Sequence, residues 1–212
     1  MTKIAVFASG RGSNFQTIHQ KIREGYISAQ VVLLITDNGQ AGAIAYAREH
    51  HIPAALVKPG EFPSSEAFGR QLLRLLEQHQ TEFIILAGYL KKIPPNVIEK
   101  YQNRILNIHP ALLPAFGGKG MYGSRVHQAV FQSGVKISGV TIHLVNNEYD
   151  AGPIVLQKVV AIDDCNSPQE IAAKVLKVEH RAFPEALKLL LENEIAIEGQ
   201  RVRIRKAKHA LH

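Results

Sequence analysis

Residues 3–14 read Lys3-Ile4-Ala5-Val6-Phe7-Ala8-Ser9-Gly10-Arg11-Gly12-Ser13-Asn14. The apolar run stops at Ser9-Gly10, and beyond the glycines Phe15, Ile18 and Ile22 recur at helical spacing until Gly25. This predicts a buried strand over 3–8, a glycine-bearing loop, and an amphipathic helix over 14–24. In an open parallel sheet, ligands bind beyond the carboxyl ends of the strands. A helix that begins there offers unpaired backbone N–H groups and the positive end of its dipole. Glycines let a phosphate approach the backbone, and Ser13 and Asn14 either add side-chain donors or cap the helix.

The alternation continues along the chain. Strands are predicted over 30–36, 54–57, 83–86 and 104–108, and helices over 42–50, 64–78 and, opened by Pro94-Pro95, as far as Tyr101. The helix over 64–78 carries Phe68, Leu72, Leu75 and Leu76 on one face. Strands alternating with helices predict an α/β fold, a mainly parallel sheet covered on both faces. The texture changes after His109. Residues 110–124 are rich in Gly and Pro and read as a long functional loop. A short helix is expected over 126–131 and strands over 138–145 and 154–160. The longest helix is expected over 167–191, capped by Ser167 or Asp164 with Pro168 in its first turn. Residues 196–204 read as a closing hairpin around Gly199. With no repeat and no linker-like stretch, residues 1–212 are expected to form a single domain.

The chain has 212 residues, 46% apolar and 20% charged, ordinary values for a globular protein. No apolar run approaches the roughly 20 residues needed to span a bilayer. The first eight residues lack the layout of a signal peptide, and a lone cysteine, Cys165, leaves a reducing compartment as the default. A cytoplasmic location is therefore expected. The formal charge is +7, part of it at Arg201, Arg203, Arg205, Lys206 and Lys208. Such an excess is either a basic surface or an attraction for phosphates and polyglutamates. The basic residues have no interleaved aromatics and no nucleic-acid motif.

The first loop does not match the common phosphate loops. A P-loop needs a Lys followed by Ser or Thr, and the dinucleotide fingerprint needs a third glycine where Phe15 stands. Two other readings stay open: a tight turn without a ligand, or a nicotinamide site in which Asp37 binds the ribose. A second polar cluster ends the strand over 104–108. Asn107 and His109 share one face of it, Leu106 and Ile108 the other, and Pro110 stops regular pairing. Two polar side chains on an otherwise apolar strand end are either satisfied by nearby backbone or used in chemistry. Asp150 lies in the turn before Gly152-Pro153, where an acid can also be a simple turn former. An amide, an imidazole and a carboxylate together suggest acyl transfer. No Ser stands in a nucleophile elbow, and Cys165 lies far along the chain from His109. The nucleophile is then expected to come from the substrate.

These residues resemble the folate-dependent formyltransferases. Asn107-Ile108-His109-Pro110-Ala111-Leu112-Leu113-Pro114 is similar to that family's Asn-x-His-Pro-Ser-Leu-Leu-Pro, and Asp150-Ala151-Gly152-Pro153-Ile154 to its Asp-x-Gly-Pro-Ile. The loop 10–14, the segment Ala87-Gly88-Tyr89-Leu90-Lys91 and Glu179-His180 add to the resemblance, which runs in order through nearly the whole chain. Departures are Ala111 in place of Ser, Leu90-Lys91-Lys92 in place of Met-Arg-Ile, and Ser65 in place of an Arg found in some relatives.

The resemblance implies a Rossmann-like, mostly parallel sheet with helices on both faces and a partly antiparallel C-terminal portion. It implies transfer of a formyl group from 10-formyltetrahydrofolate, as co-substrate, to the amine of 5'-phosphoribosylglycinamide, a step of purine synthesis. Asn107 and an imidazolium at His109 would hold the oxyanion, with Asp150 keeping His109 charged and relaying a proton. Gly12, Ser13 and Asn14 would bind the substrate phosphate, and Glu179 a ribose hydroxyl. The folate would lie against Leu86, Tyr89, Leu90, Lys91, Lys92 and Ile93. Asn107 and the segment Asn146, Asn147, Glu148, Tyr149 and Asp150 would meet its polar edge. His143 either supports Asp150 or is a satisfied core histidine. No metal is expected, since no cluster has ligand spacing. The partners expected are the two small molecules, without nucleic acid or membrane, acting on a monomer or weak homodimer. The alternatives are a formyltetrahydrofolate deformylase-like hydrolase, an NAD-dependent oxidoreductase, and a basic RNA-binding domain.

Overall fold

The structure is a computed structural model and describes residues 1–206. Its first five strands are β1 (Thr2–Phe7), β2 (Ala29–Thr36), β3 (Ala54–Leu56), β4 (Phe83–Leu86) and β5 (Ile105–His109). Between them lie α1 (Ser13–Arg23), α2 (Gly42–Glu49), α3 (Ser65–Gln78) and α4 (Pro95–Lys100). Then follow α5 (Ser124–Ser133), β6 (Ile137–Leu144), β7 (Ile154–Ala161), α6 (Pro168–Glu192), β8 (Asn193–Glu198) and β9 (Arg201–Lys206). A 3-10 turn at Pro59–Glu61, opened by its proline, was not foreseen.

The described strands form one nine-stranded sheet in the order β3-β2-β1-β4-β5-β6-β7-β9-β8. β1 to β5 are mutually parallel, whereas β6 runs antiparallel to both β5 and β7. This is the mixed sheet expected, parallel first and partly antiparallel later. β1 shows why the sheet is covered twice. Ile4, Ala5, Val6 and Phe7 are all fully buried, and successive side chains point to opposite faces. Ile4 and Val6 join Phe15, Ile18, Val126, Val175 and Phe183 under α1, α5 and α6. Ala5 and Phe7 join Phe68, Leu72, Leu76 and Val97 under α3 and α4. No helix among the described residues is long and apolar enough to cross a membrane.

Helix starts follow local chemistry. The Ser64 hydroxyl accepts from Ala67 N–H at 3.1 Å, and the Ser167 hydroxyl accepts from Glu170 N–H at 3.2 Å. Ser167, rather than Asp164, therefore caps α6, with Pro168 in its first turn. β5 runs one residue beyond the range expected because His109 still pairs with Thr141 of β6.

The C-terminal hairpin also accounts for part of the basic tail. Glu194 lies opposite Arg205 and Glu198 opposite Arg201, so these acids share a sheet face with the arginines. A 3.1 Å ion pair also joins Arg203 to Glu198. Arg201, Arg203 and Arg205 do not line the cavity described below, and Lys208 lies outside the described residues.

Gly152 marks the tightest approach in the antiparallel region. A Cβ there would lie 1.8 Å from the Leu144 carbonyl oxygen, which is backbone and cannot swing aside. Gly152→Ala is expected to cost about 1–3 kcal/mol or more, as overpacking does. Urea unfolding should show a lower midpoint at unchanged slope; an unaltered midpoint would mean that the 145–153 turn rearranges freely.

Candidate active site

A cavity of about 740 Å³ opens at the carboxyl ends of β1, β4 and β5, between the start of α1 and the turn after β6. Gly12, Ser13, Asn14 and Glu179 line it, as do Leu86, Tyr89, Leu90, Lys91, Lys92 and Ile93. Asn107, His109, His143, Asn146, Glu148, Tyr149 and Asp150 complete the set foreseen from sequence. Asn147 alone of that set does not line the cavity. Lys119, Arg125, His127 and Leu176 line it as well and were missed. His127 sits on α5 just past the glycine-rich loop, the only sequence signal that pointed to it.

The start of α1 is built for close approach. Gly12 is the N-cap, in the left-handed region at φ +77°, and a Cβ there would meet Ala43 Cβ at 2.8 Å. No side chain caps the helix, so its first-turn N–H groups are left for an anion. The side chain of Asn14 is not among the donors offered to it. Its amide Nδ2 donates to Glu179 Oε2 at 2.7 Å, from α6, and its Oδ1 is buried without a partner. Burial pushes the Glu179 carboxyl up, and the Asn14 amide offsets part of that. The expected phosphate donor at position 14 is thus the backbone, while the side chain orients Glu179. That contact spans 165 residues and had no local signal.

Asn107, His109, His143 and Asp150 form one cluster. His143 Nδ1 lies 3.0 Å from the Leu144 carbonyl, which only accepts. His143 therefore carries its proton on Nδ1, and Nε2 accepts from Asn107 Nδ2 at 3.0 Å. One hydrogen of the Asn107 amide remains for the cavity. By the same logic His109 Nε2 donates to the Phe116 carbonyl at 2.9 Å. His109 Nδ1 faces Asp150 Oδ2 at 3.6 Å, and His143 Nε2 lies 3.7 Å from Asp150 Oδ1. His143 thus orients the Asn107 amide, with both ring nitrogens hydrogen-bonded and Nε2 adjoining Asp150.

Protonation differs from expectation. Burial pushes the Asp150 carboxyl up, but His143, His109 and the Gly118 N–H, 2.9 Å from Oδ2, outweigh it, and its pKa lies below the usual value. For His109, burial is the larger influence and lowers the pKa below the ordinary histidine value. Asp150 and the Phe116 carbonyl only partly oppose that burial, and His143 adds to it. The expectation that Asp150 keeps His109 cationic is therefore reversed in the free protein. The imidazole is 3% exposed under loop 110–123, and desolvation disfavours the charged form. Asp150 itself adopts φ +53°, a left-handed conformation that Asp and Asn tolerate better than other non-glycine residues.

Asp37, the acid considered for a ribose, is already engaged. It accepts from the Ser9 hydroxyl and faces Lys91 Nζ at 3.6 Å. Ala111 lacks the serine hydroxyl but is held through its backbone: its carbonyl accepts from Thr141 Oγ1 at 2.7 Å. Among the described residues no group of three or more His, Cys, Asp or Glu is placed to hold a metal ion.

A helix N-terminus for an anion, an amide–imidazole–carboxylate cluster and an apolar slot in one cavity define an acyl-transfer site on a mixed α/β sheet. A family model described as formyl transferase matches residues 2–187, and the chain belongs to that family. The phosphoribosylglycinamide formyltransferase of Bacillus subtilis is 39% identical over 191 residues, covering 90% of this chain and 95% of that protein. The chloroplastic phosphoribosylglycinamide formyltransferase of Arabidopsis thaliana is 45% identical over 194 residues, 91% of this chain. The chain spans 66% of that plant protein's length. The crystal structure of glycinamide ribonucleotide transformylase 1 from Symbiobacterium toebii superposes with a TM-score of 0.90 at 37% identity. It covers 96% of this chain and 94% of its own.

Proposed function

We propose that this chain transfers a formyl group from 10-formyltetrahydrofolate to the amine of 5'-phosphoribosylglycinamide, a step of purine synthesis. The observation that carries this reading is the single cavity in which the anion-binding start of α1, the Asn107–His109–Asp150 cluster and the slot at Leu86, Leu90 and Ile93 adjoin. The names of the relatives support the acceptor. We read residues 1–212 as one domain, acting in the cytoplasm on two small molecules as a monomer or weak homodimer, without nucleic acid or membrane.

The apolar side chains Leu86, Ile93 and Val145 and the polar backbone after β6 suit a pterin, which has flat faces and a hydrogen-bonding edge. The bound folate supplies the formyl carbon and a leaving nitrogen. The acceptor amine attacks that carbon, a C–N bond forms, and negative charge gathers on the formyl oxygen. The free hydrogen of the Asn107 amide and the Nε2–H of His109 are the donors for that oxygen. His109 shares or gives up its bond to the Phe116 carbonyl to do this. Asp150, ionised, takes a proton from the attacking nitrogen, directly or through a water, and returns it to the leaving nitrogen as the second C–N bond breaks. One proton moves between two nitrogens, so no protein group is consumed.

Incubation with both substrates is expected to give tetrahydrofolate and formylated acceptor in equal amounts. Tetrahydrofolate accompanied by formate, with no formylated acceptor, would support the deformylase-like reading instead. Asn14→Ala removes the donor that orients Glu179. It is expected to raise the acceptor KM about 10-fold or more, the cost of a hydrogen bond to a charged group, with a smaller change in kcat. An unchanged KM would take Glu179 out of acceptor binding.

A further inference from the structure

Behind the cavity wall, loops leaving the neighbouring strands β1, β2 and β4 meet at Ser9. Ser9 is 6% exposed and does not line the cavity. Its hydroxyl donates to Asp37 Oδ1, beyond β2, and accepts from the Leu90 N–H at 3.0 Å, beyond β4. Its backbone N–H donates to the Gly88 carbonyl at 3.2 Å, and its carbonyl accepts from Asn38 Nδ2 at 3.1 Å. Asp37 continues the chain of contacts through its second oxygen, 3.6 Å from Lys91 Nζ. The Asp37 side chain is 10% exposed, whereas Lys91 is half-exposed on the cavity wall.

Sequence position gives this network its meaning. The residue after Ser9 opens the loop 10–14 at the start of α1, and Leu90 and Lys91 belong to the wall of the slot on the other side. Both walls are therefore fastened to one buried hydroxyl. A hydrogen bond to a carboxylate is roughly twice as strong as one between neutral groups, and a satisfied buried network is rigid. Neither wall can shift at Ser9 without breaking a bond to the other.

We propose that Ser9 and Asp37 are positioning residues that tie the acceptor loop 10–14 to the folate-side loop 87–93, so that filling one subsite favours filling the other. The identity of the two ligands rests on the formyl-transfer reading above; the tie itself rests on the contacts of Ser9. Such coupling is reciprocal: each ligand changes the affinity for the other by the same factor.

Calorimetry with the full chain tests it, using 5-formyltetrahydrofolate as a reduced folate that does not transfer its group, with and without 5'-phosphoribosylglycinamide. In the parent protein each ligand is expected to tighten the other by about 5-fold or more. In Ser9→Ala and in Asp37→Ala that factor should fall towards one, and Ser9→Thr, which keeps the hydroxyl, should restore it. Asp37→Ala, at a loop position, serves where Ser9→Ala does not fold. Coupling that is absent from the parent, or that persists in both variants while only their melting temperatures fall, overturns the tie and leaves Ser9 a merely structural residue. If the parent binds neither ligand and forms no formylated product, the formyl-transfer reading fails and the tie falls with it. If the parent turns over both substrates and the variants keep their coupling, the tie alone fails.

Discussion

Asp150→Asn is expected to lower kcat about 10²–10⁴-fold, the range for loss of a positioned acid–base group, while both substrates still bind. The substitution isolates the chemistry because it leaves the frame intact. Asn tolerates the φ of +53° at this position as readily as Asp. Its side-chain oxygen can still accept from the Gly118 N–H now 2.9 Å away. What it cannot do is take up the proton released by the attacking amine. The ionised carboxyl is the resting form: its pKa lies below the usual value despite burial, and the Gly118 N–H donates to Oδ2. Steady-state kinetics with each substrate varied should show kcat falling and both KM values nearly constant. Turnover within a few-fold of the parent would remove Asp150 from proton transfer.

His109→Ala is expected to cost about 10²–10³ in kcat, the usual loss for one oxyanion donor. A second readout comes from pH. Burial holds the His109 pKa below its ordinary value of about 6.5, so the neutral form belongs to the folded state. As pH falls below that ordinary value, the unfolded chain takes up a proton that the folded chain still refuses. Stability therefore declines from about pH 6.5 down to the folded-state pKa and is insensitive to this group above pH 6.5. His127 follows the same sign, its pKa lowered by burial and then by His109. In His109→Ala the decline of the urea midpoint on acidification should be shallower than in the parent. An equally steep decline would assign the dependence to His127, His19 and His180, whose values burial also lowers.

The frame of the site was legible because its signals are local. Ile4 to Phe7 read as a doubly buried strand, and the glycines after them placed a helix N-terminus at the sheet's carboxyl edge. Period-two alternation alone put Asn107 and His109 on one face, and the family resemblance singled out Asp150. What escaped reading depends on distant neighbours. The charge of His109 is set by burial under loop 110–123, which ordinary pairing with a carboxylate does not overcome. The amide of Asn14 turns to an acid on the last helix. Asp37, legible only as an acid at a strand end, is taken up by Ser9 and Lys91. His127 enters the cavity because α5 packs on α6, a matter of tertiary docking rather than of pattern.

The bond between Asn14 and Glu179 closes a loop of chain that includes six of the nine described strands, β2 to β7. Closing so long a loop costs conformational entropy that must be met before the contact returns anything, and contacts distant in sequence form slowly. The pocket for the acceptor is thus a late product of refolding. Sheet formation after dilution from urea should run ahead of the recovery of acceptor binding, and regained turnover should report the docking of α6 on α1 rather than collapse of the chain.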